Sequence, residues 1–271
     1  ILAGFISMSI ADRPGLAVGF VGGALAGSTG SGFLGALLAG FLGGWIVNLL
    51  KKAFSGIPAS MDGIKPVLLY PFFGILIMGF VSMYIIAPPV SAINTWLTET
   101  LANMDPSARI LMGIVVAGMM AIDMGGPINK AAYVTGTGLL ASGEYHVMAA
   151  VMAGGMVPPL AIALCTTFFK NRFTESEQKA GVVNYVMGMS FITEGAIPFA
   201  AGDPLRVIPS CVVGSAVAGA LTMAFDCTLR APHGGIFVVP TIGNPVMYLV
   251  AILIGAVVGC AMLSVLKKPL K

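Results

Sequence analysis

Long stretches of this chain carry no Asp, Glu, Lys or Arg, among them 14–50, 66–98, 207–225 and 231–266. Each is long enough for a run of about 20 apolar residues, the length that crosses a bilayer as a helix. The apolar positions run on continuously and do not alternate in the ten-residue segments of an outer-membrane barrel. The pattern predicts an all-α, multi-span integral membrane protein. Residues 1–11 read as the tail of a span, ended by Asp12-Arg13-Pro14-Gly15. Small residues then recur at every fourth position (Gly19, Gly23, Gly27, Ser31, Gly35, Ala39, Gly43), a spacing that lets helix backbones approach closely. Gly30 and Gly32 are candidate breakers of that run, and Lys51-Lys52 ends it.

Further spans are predicted over 66–87, stopped by Pro88-Pro89, and from Arg109 to Ile122. Others follow over 147–169, interrupted by Pro158-Pro159, then 205–225 and 245–266. Residues 90–104, with Trp96 and Glu99, suit a helix lying at the membrane interface.

One apolar stretch departs from this rule. Asn184–Pro209 (NYVMGMSFITEGAIPFAAGDPLRVIP) holds Glu194, Asp203 and Arg206 among Gly and Pro. Pro198 and Pro204 remove backbone donors, and Gly195 and Gly202 tolerate unusual dihedrals, so broken backbone is expected over 184–204. Such backbone survives at membrane depth only where protein covers it or water lines it. An ionisable residue there marks a functional site, which singles out Glu194. Broken elements are also expected near 123–140 and 226–244, the latter containing Arg-Ala-Pro-His-Gly-Gly at 230–235. Discontinuous elements meeting near the midplane form a transporter pattern.

Composition agrees with the membrane reading. Of 271 residues, 57% are hydrophobic and 9% charged, against roughly 25% charged in soluble domains. A net charge of +3 is too small to argue for nucleic acid. Its placement orients the chain: Lys51, Lys52, Lys65, Lys170, Arg172, Lys179, Arg206, Lys267, Lys268 and Lys271 flank span ends, which makes that side and the C-terminus cytoplasmic. The four cysteines are scattered singly through apolar segments, so neither a zinc site nor a disulfide framework is expected, and no cofactor or metal is called for. The chain opens at Ile1 inside an apolar run, without a start Met or basic leader, and is read as a fragment lacking earlier membrane segments.

Three polar clusters supply the groups that a polyhydroxylated ligand needs. They are Asp123, Asn129 and Lys130; Thr193 and Glu194, followed by Asp203 and Arg206; and Arg230 and His233, with Asn244 at the far end. Plainer readings stand beside these. Asp226 and Arg230 are spaced to neutralise each other on a helix. Asp203 and Arg206 either pair at the surface or cap the following helix. Lys130 is either a countercharge for Asp123 or a ligand contact.

Three motifs carry a family resemblance: Asp123–Tyr133 (DMGGPINKAAY), Ile192–Phe199 (ITEGAIPF) and Ala231–Phe237 (APHGGIF). Together they resemble the membrane-embedded EIIC component of the bacterial phosphotransferase system, most closely its fructose branch. The Ala11–Gly15 turn and the glycine-rich run after it are similar to that branch as well, and the likeness covers essentially the whole chain. The resemblance implies group translocation, in which EIIC carries a sugar inward and a phosphocysteine-bearing EIIB phosphorylates it, usually at C1 of fructose. It implies the membrane component of a protein-Nπ-phosphohistidine–sugar phosphotransferase, in the bacterial inner membrane, built as a homodimer. Each protomer would have an interface domain, here a partial one at 1–105, and a transport domain at 106–271. The Glu of the family's Ile-Thr-Glu motif, Glu194 here, is implied as a sugar ligand. His233 is carried over as a contact or assisting base, and Asn129, Thr193 and Lys130 as further binding groups. Asp123, Asp203, Arg206 and Arg230 remain structural or coupling charges. Neither EIIB nor the phosphohistidine-bearing EIIA lies in this chain. An ion-coupled secondary sugar transporter using Glu194 and Asp203 is the principal alternative, and a membrane sensor a third.

Overall fold

The computed structural model describes residues 1–270, without the side chains at positions 59, 94, 97, 98, 101 and 102. Lys271, counted above among the basic flanks, lies outside the described residues. The chain is helical almost throughout and divides into two compact units, 1–102 and 103–271.

The first unit holds α1 (Leu2–Ala11), α2 (Arg13–Ser28), α3 (Gly32–Ala53), α4 (Tyr70–Phe80) and α5 (Ala87–Ala102). The break between α2 and α3 falls at the expected glycines, with Gly30 at φ 74° and Gly32 at φ 55°. The small-residue face therefore splits across two helices that pack on each other. A Cβ on Gly43 would stand 3.4 Å from the Gly19 backbone nitrogen, a separation that only small residues permit.

Pro88-Pro89 does not stop the next span. Helix runs from Lys65 through α4 and into α5, with π-helical turns at Lys65–Leu69 and Val81–Ile86. The Ala87 N–H donates to Ser82 O, five residues back. The wider turn changes the bonding register just before the two prolines.

The second unit contains α6 (Pro106–Ile122), α7 (Pro127–Ala141), α8 (His146–Phe168), α9 (Glu175–Met189), α10 (Ile197–Gly202), α11 (Pro204–Ala224) and α12 (Pro245–Leu266). Asp105 caps α6 by accepting the Ala108 N–H at 3.0 Å. Thr174 and Glu177 form a capping box at the start of α9. Two-residue strands, β1 (Thr228–Leu229) and β2 (Ile242–Gly243), pair antiparallel and pin the base of the 226–244 element.

α8 is the hub, packing against α6, α9, α11 and α12. It is one unbroken helix despite Pro158 and Pro159, correcting the expected interruption. In a regular helix, the missing N–H groups at 158 and 159 would strand the carbonyls of Gly154 and Gly155. Two hydroxyls take their place: Ser215 donates to Gly154 O at 2.7 Å, and Thr193 donates to Gly155 O at 2.8 Å. Side-chain donors from neighbouring segments thus satisfy the carbonyls that the double proline would leave open.

Candidate functional site

Two of the three expected broken elements are shorter than the sequence suggests, while 226–244 fills the whole gap between α11 and α12. The break expected near 123–140 is confined to the turn Asp123–Gly126, after which α7 is a regular helix. Within 184–204, residues up to Met189 continue α9; the irregular part is Ser190–Ile192, the 3-10 turn Thr193–Ala196 and the short α10. Pro198 and Pro204 each fall in a first helical turn, where they start helices.

The 3-10 turn hangs on the middle of α8. That helix has 23 residues, about 34 Å at 1.5 Å per residue, and Gly155, the acceptor for Thr193, lies near its midpoint. Two close approaches bring in the other motifs. A Cβ on Gly125 (φ 111°) would lie 2.8 Å from Glu194 Oε1, so the 123–126 turn rests directly on the carboxylate. A Cβ on Gly235 (φ 57°) would stand 2.8 Å from the Phe191 nitrogen and the Ser190 carbonyl carbon. Gly235→Ala combines a backbone clash with a left-handed conformation that disfavours Cβ. It is expected to lower stability by about 1–3 kcal/mol, read as a lower thermal midpoint in detergent.

These approaches enclose a cavity of about 200 Å³ lined by Met120, Asn129, Lys130, Tyr133, Phe191, Thr193, Glu194 and His233. That is below the roughly 300–1,000 Å³ of sites for drug-sized ligands and suits a smaller molecule. The Glu194 side chain is 46% exposed, and Lys130 Nζ lies 3.6 Å from its Oε1. The carboxylate at this depth is thus compensated, by a lysine that the sequence offered as a countercharge for Asp123.

Asp123 has a different task. Its carboxylate accepts the N–H groups of Ile128 at 2.7 Å and Asn129 at 2.9 Å, capping the first turn of α7. Asn129, 3% exposed, donates its side-chain amide to Met120 O at 2.7 Å. That bond tethers α7 to α6 and holds the amide at the cavity wall. Thr193 spends its hydroxyl proton on Gly155, so it holds the turn in place.

The remaining candidates lie elsewhere. Arg206 pairs with Asp203 at 2.9 Å, and Lys267 approaches both Asp203 and Glu177 at 3.7 Å. Arg172 also donates to the Lys267 carbonyl, so this end of the unit is a knot of basic residues and their partners. At the opposite end, Asp226 does not pair with Arg230. Asp226 has φ 52° and leaves the helix, so the i, i+4 geometry never forms. It meets His146 Nε2 at 3.0 Å, while His146 Nδ1 lies 2.6 Å from Glu144. The Glu144 carboxyl is held below the ordinary range, first by the hydrogen bond with His146. Arg230 stacks over the Tyr145 ring at 5.1 Å.

Sequence reasoning overlooked Met120 and Phe191 as cavity residues. It quoted Tyr133 within a motif without assigning it a role. Phe191 stands immediately before the Ile-Thr-Glu motif, and that adjacency was the available signal.

A multi-span helical protein whose irregular backbone encloses a half-exposed ion pair near the middle of a long apolar helix has the pattern of a membrane transporter. The family model "Phosphotransferase system, EIIC" matches residues 1–214, and the chain belongs to that family. It is 56% identical to the PTS system fructose-specific EIIABC component of Bacillus subtilis, over 99% of this chain and 42% of that protein. It is 55% identical to the Fructose permease IIC component of Bacillus amyloliquefaciens, over all of this chain and 89% of the relative. A fructose-specific EIIC component of Haloferax volcanii is 42% identical over 98% of this chain and 76% of its own length. The chain therefore spans less than half of the multidomain relative and most of the single-component ones. No solved structure matches it.

Proposed function

We propose that this chain is the sugar-translocating permease of a phosphoenolpyruvate-dependent phosphotransferase system, taking fructose or a related hexose. The observation that carries the reading is the convergence of three motifs, far apart in sequence, on one small polar cavity at the midpoint of α8. Fructose is favoured by the names of relatives at 55–56% identity.

Glu194 accepts a hydrogen bond from a sugar hydroxyl, and Lys130 holds that carboxylate until the sugar arrives. Asn129 and Lys130 orient further hydroxyls, and Thr193 fixes the turn that presents Glu194. His233 contacts the sugar or takes the hydroxyl proton. Phosphoryl transfer asks little covalent chemistry of the protein and depends on position and charge. A partner EIIB, carrying phosphocysteine, would approach the end bearing Lys170, Arg172, Lys179 and Lys267, which we assign to the cytoplasm by the positive-inside rule. By the same assignment the C-terminus lies on the cytoplasmic side of a bacterial plasma membrane. Residues 1–102 serve as the dimer-forming part and 103–271 as the transport part of a homodimer.

The test is uptake of labelled fructose into vesicles containing the purified chain. Accumulation of phosphorylated fructose that requires EIIB and phosphoenolpyruvate supports the proposal. Uptake of free sugar driven by a proton or sodium gradient alone would replace it with an ion-coupled transporter.

A further inference from the structure

Phe191 occupies a backbone position suited to glycine. The Phe191 N–H donates to Gly188 O at 3.2 Å, and the Ile192 N–H donates to Met187 O at 2.8 Å. This is the Schellman ending of a helix, whose left-handed residue is usually Gly. Phe191 has φ 62°, and a bulky side chain there is a genuine outlier, because its Cβ crowds the following carbonyl. Glycine would close the same turn without strain. Strain of this kind persists where the surrounding structure demands that side chain, and such places cluster at functional sites.

The ring shows where the demand arises. It lies 4.9 Å from the His233 ring and 6.2 Å from Tyr133, while Tyr133 and His233 are 6.5 Å apart. Its edge is seated against Gly155 of α8, where any Cβ would displace it. Phe191 is 5% exposed, and what shows of it lines the same cavity as Asn129, Lys130 and Glu194. The turn that strains Phe191 also immediately precedes Thr193 and Glu194, so the ring and the carboxylate are placed by one piece of backbone.

We propose that Tyr133 and Phe191 form a stacking platform for the C–H face of the sugar ring, as positioning and specificity residues. The proposal rests on the sugar-binding reading above. A cyclic hexose presents hydroxyls at its edge and slightly positive C–H bonds on its face, and those bonds are attracted to the negative face of an aromatic ring. Asn129, Lys130 and Glu194 satisfy hydroxyls, but hydroxyls alone do not separate a ring from an open-chain polyol of the same length. A wall made of the Tyr133 ring and the exposed part of Phe191, tilted 39° to it, does, because an open chain has no such face to lay on it.

The experiment is equilibrium binding of radiolabelled fructose to the purified chain, with an open-chain hexitol as competitor. Tyr133→Leu and Phe191→Leu keep apolar volume and remove the ring, and each is expected to weaken fructose binding about tenfold. Both are expected to leave competition by the hexitol unchanged, so the preference for the ring form shrinks. Tyr133→Phe keeps the ring and should bind within about twofold of wild type. Leucine variants that bind fructose like wild type overturn the platform and leave the transport reading intact. Equal losses in Tyr133→Phe and Tyr133→Leu also overturn it, by assigning the effect to the hydroxyl. Absence of fructose binding by wild type overturns the fructose assignment and the platform with it. Should Phe191→Leu fail to fold, the two Tyr133 variants decide the matter, since Tyr133 is only half-buried.

Discussion

Glu194→Gln is expected to lower fructose affinity by about 10- to 100-fold, the range for losing one charge-assisted hydrogen bond. The glutamine keeps shape and length, so the cavity outline is unchanged. What disappears is a charged acceptor that lies against Gly125 on one side and Lys130 on the other. Two consequences follow. The sugar hydroxyl meets a neutral amide, and Lys130 loses the partner 3.6 Å away. Lys130 is 59% exposed and does not become a buried unpaired charge, so the variant should fold. Radiolabelled fructose binding at equilibrium checks this result, with thermal unfolding in detergent as the control for folding. An affinity equal to wild type would remove Glu194 from the sugar contacts and leave it a role in phosphoryl transfer alone.

Thr193→Val should destabilise the protein by about 1–3 kcal/mol, the cost of leaving a buried polar group unpaired. The valine fills the same space, so packing is not the cause. Pro159 has already removed the helical donor of Gly155 O, and the Thr193 hydroxyl at 2.8 Å replaces it. Ser215→Ala should act likewise on Gly154 O, whose helical donor is lost at Pro158. Both hydroxyl residues are buried, Thr193 at 3% exposure and Ser215 at 0%, so water is a poor substitute. The mechanism predicts its own rescue. Pro159→Ala restores an N–H opposite Gly155 and should recover most of the stability lost in Thr193→Val. Pro158→Ala should do the same for Ser215→Ala. Thermal midpoints of the four single variants and two rescue pairs measure this. Simple additivity within either pair would mean that hydroxyl and proline do not act on the same carbonyl.

The Thr193 result also bears on function. If the hydroxyl holds the 3-10 turn on α8, Thr193→Val should weaken sugar binding along with stability, while Thr193→Ser should preserve both.

Much of this protein was written in local chemistry. Uncharged apolar runs impose helices and a membrane, because no soluble fold hides so much apolar surface. Gly30 and Gly32 ended a helix, since only residues without Cβ take those dihedrals cheaply. Glu194, Asn129, Lys130 and His233 stood out as polar groups in apolar surroundings, and all four line one cavity.

Partnerships were another matter, because they depend on which segments meet across tens to hundreds of residues. Pro88-Pro89 and Pro158-Pro159 carry the same local signal to stop a helix. Yet a π-helical turn preceded one pair without a break in the helix, and hydroxyls 38 and 61 residues from their acceptors served the other. Proximity in sequence offered Lys130 either Asp123 or a ligand, but packing gave it Glu194, while Asp123 turned to the backbone of α7. Asp226 and Arg230 had the spacing of a helical pair and no helix beneath them. Residue type sets what a side chain is able to bond; the tertiary fold chose the partner, because that energy is gained only after distant backbones close upon each other.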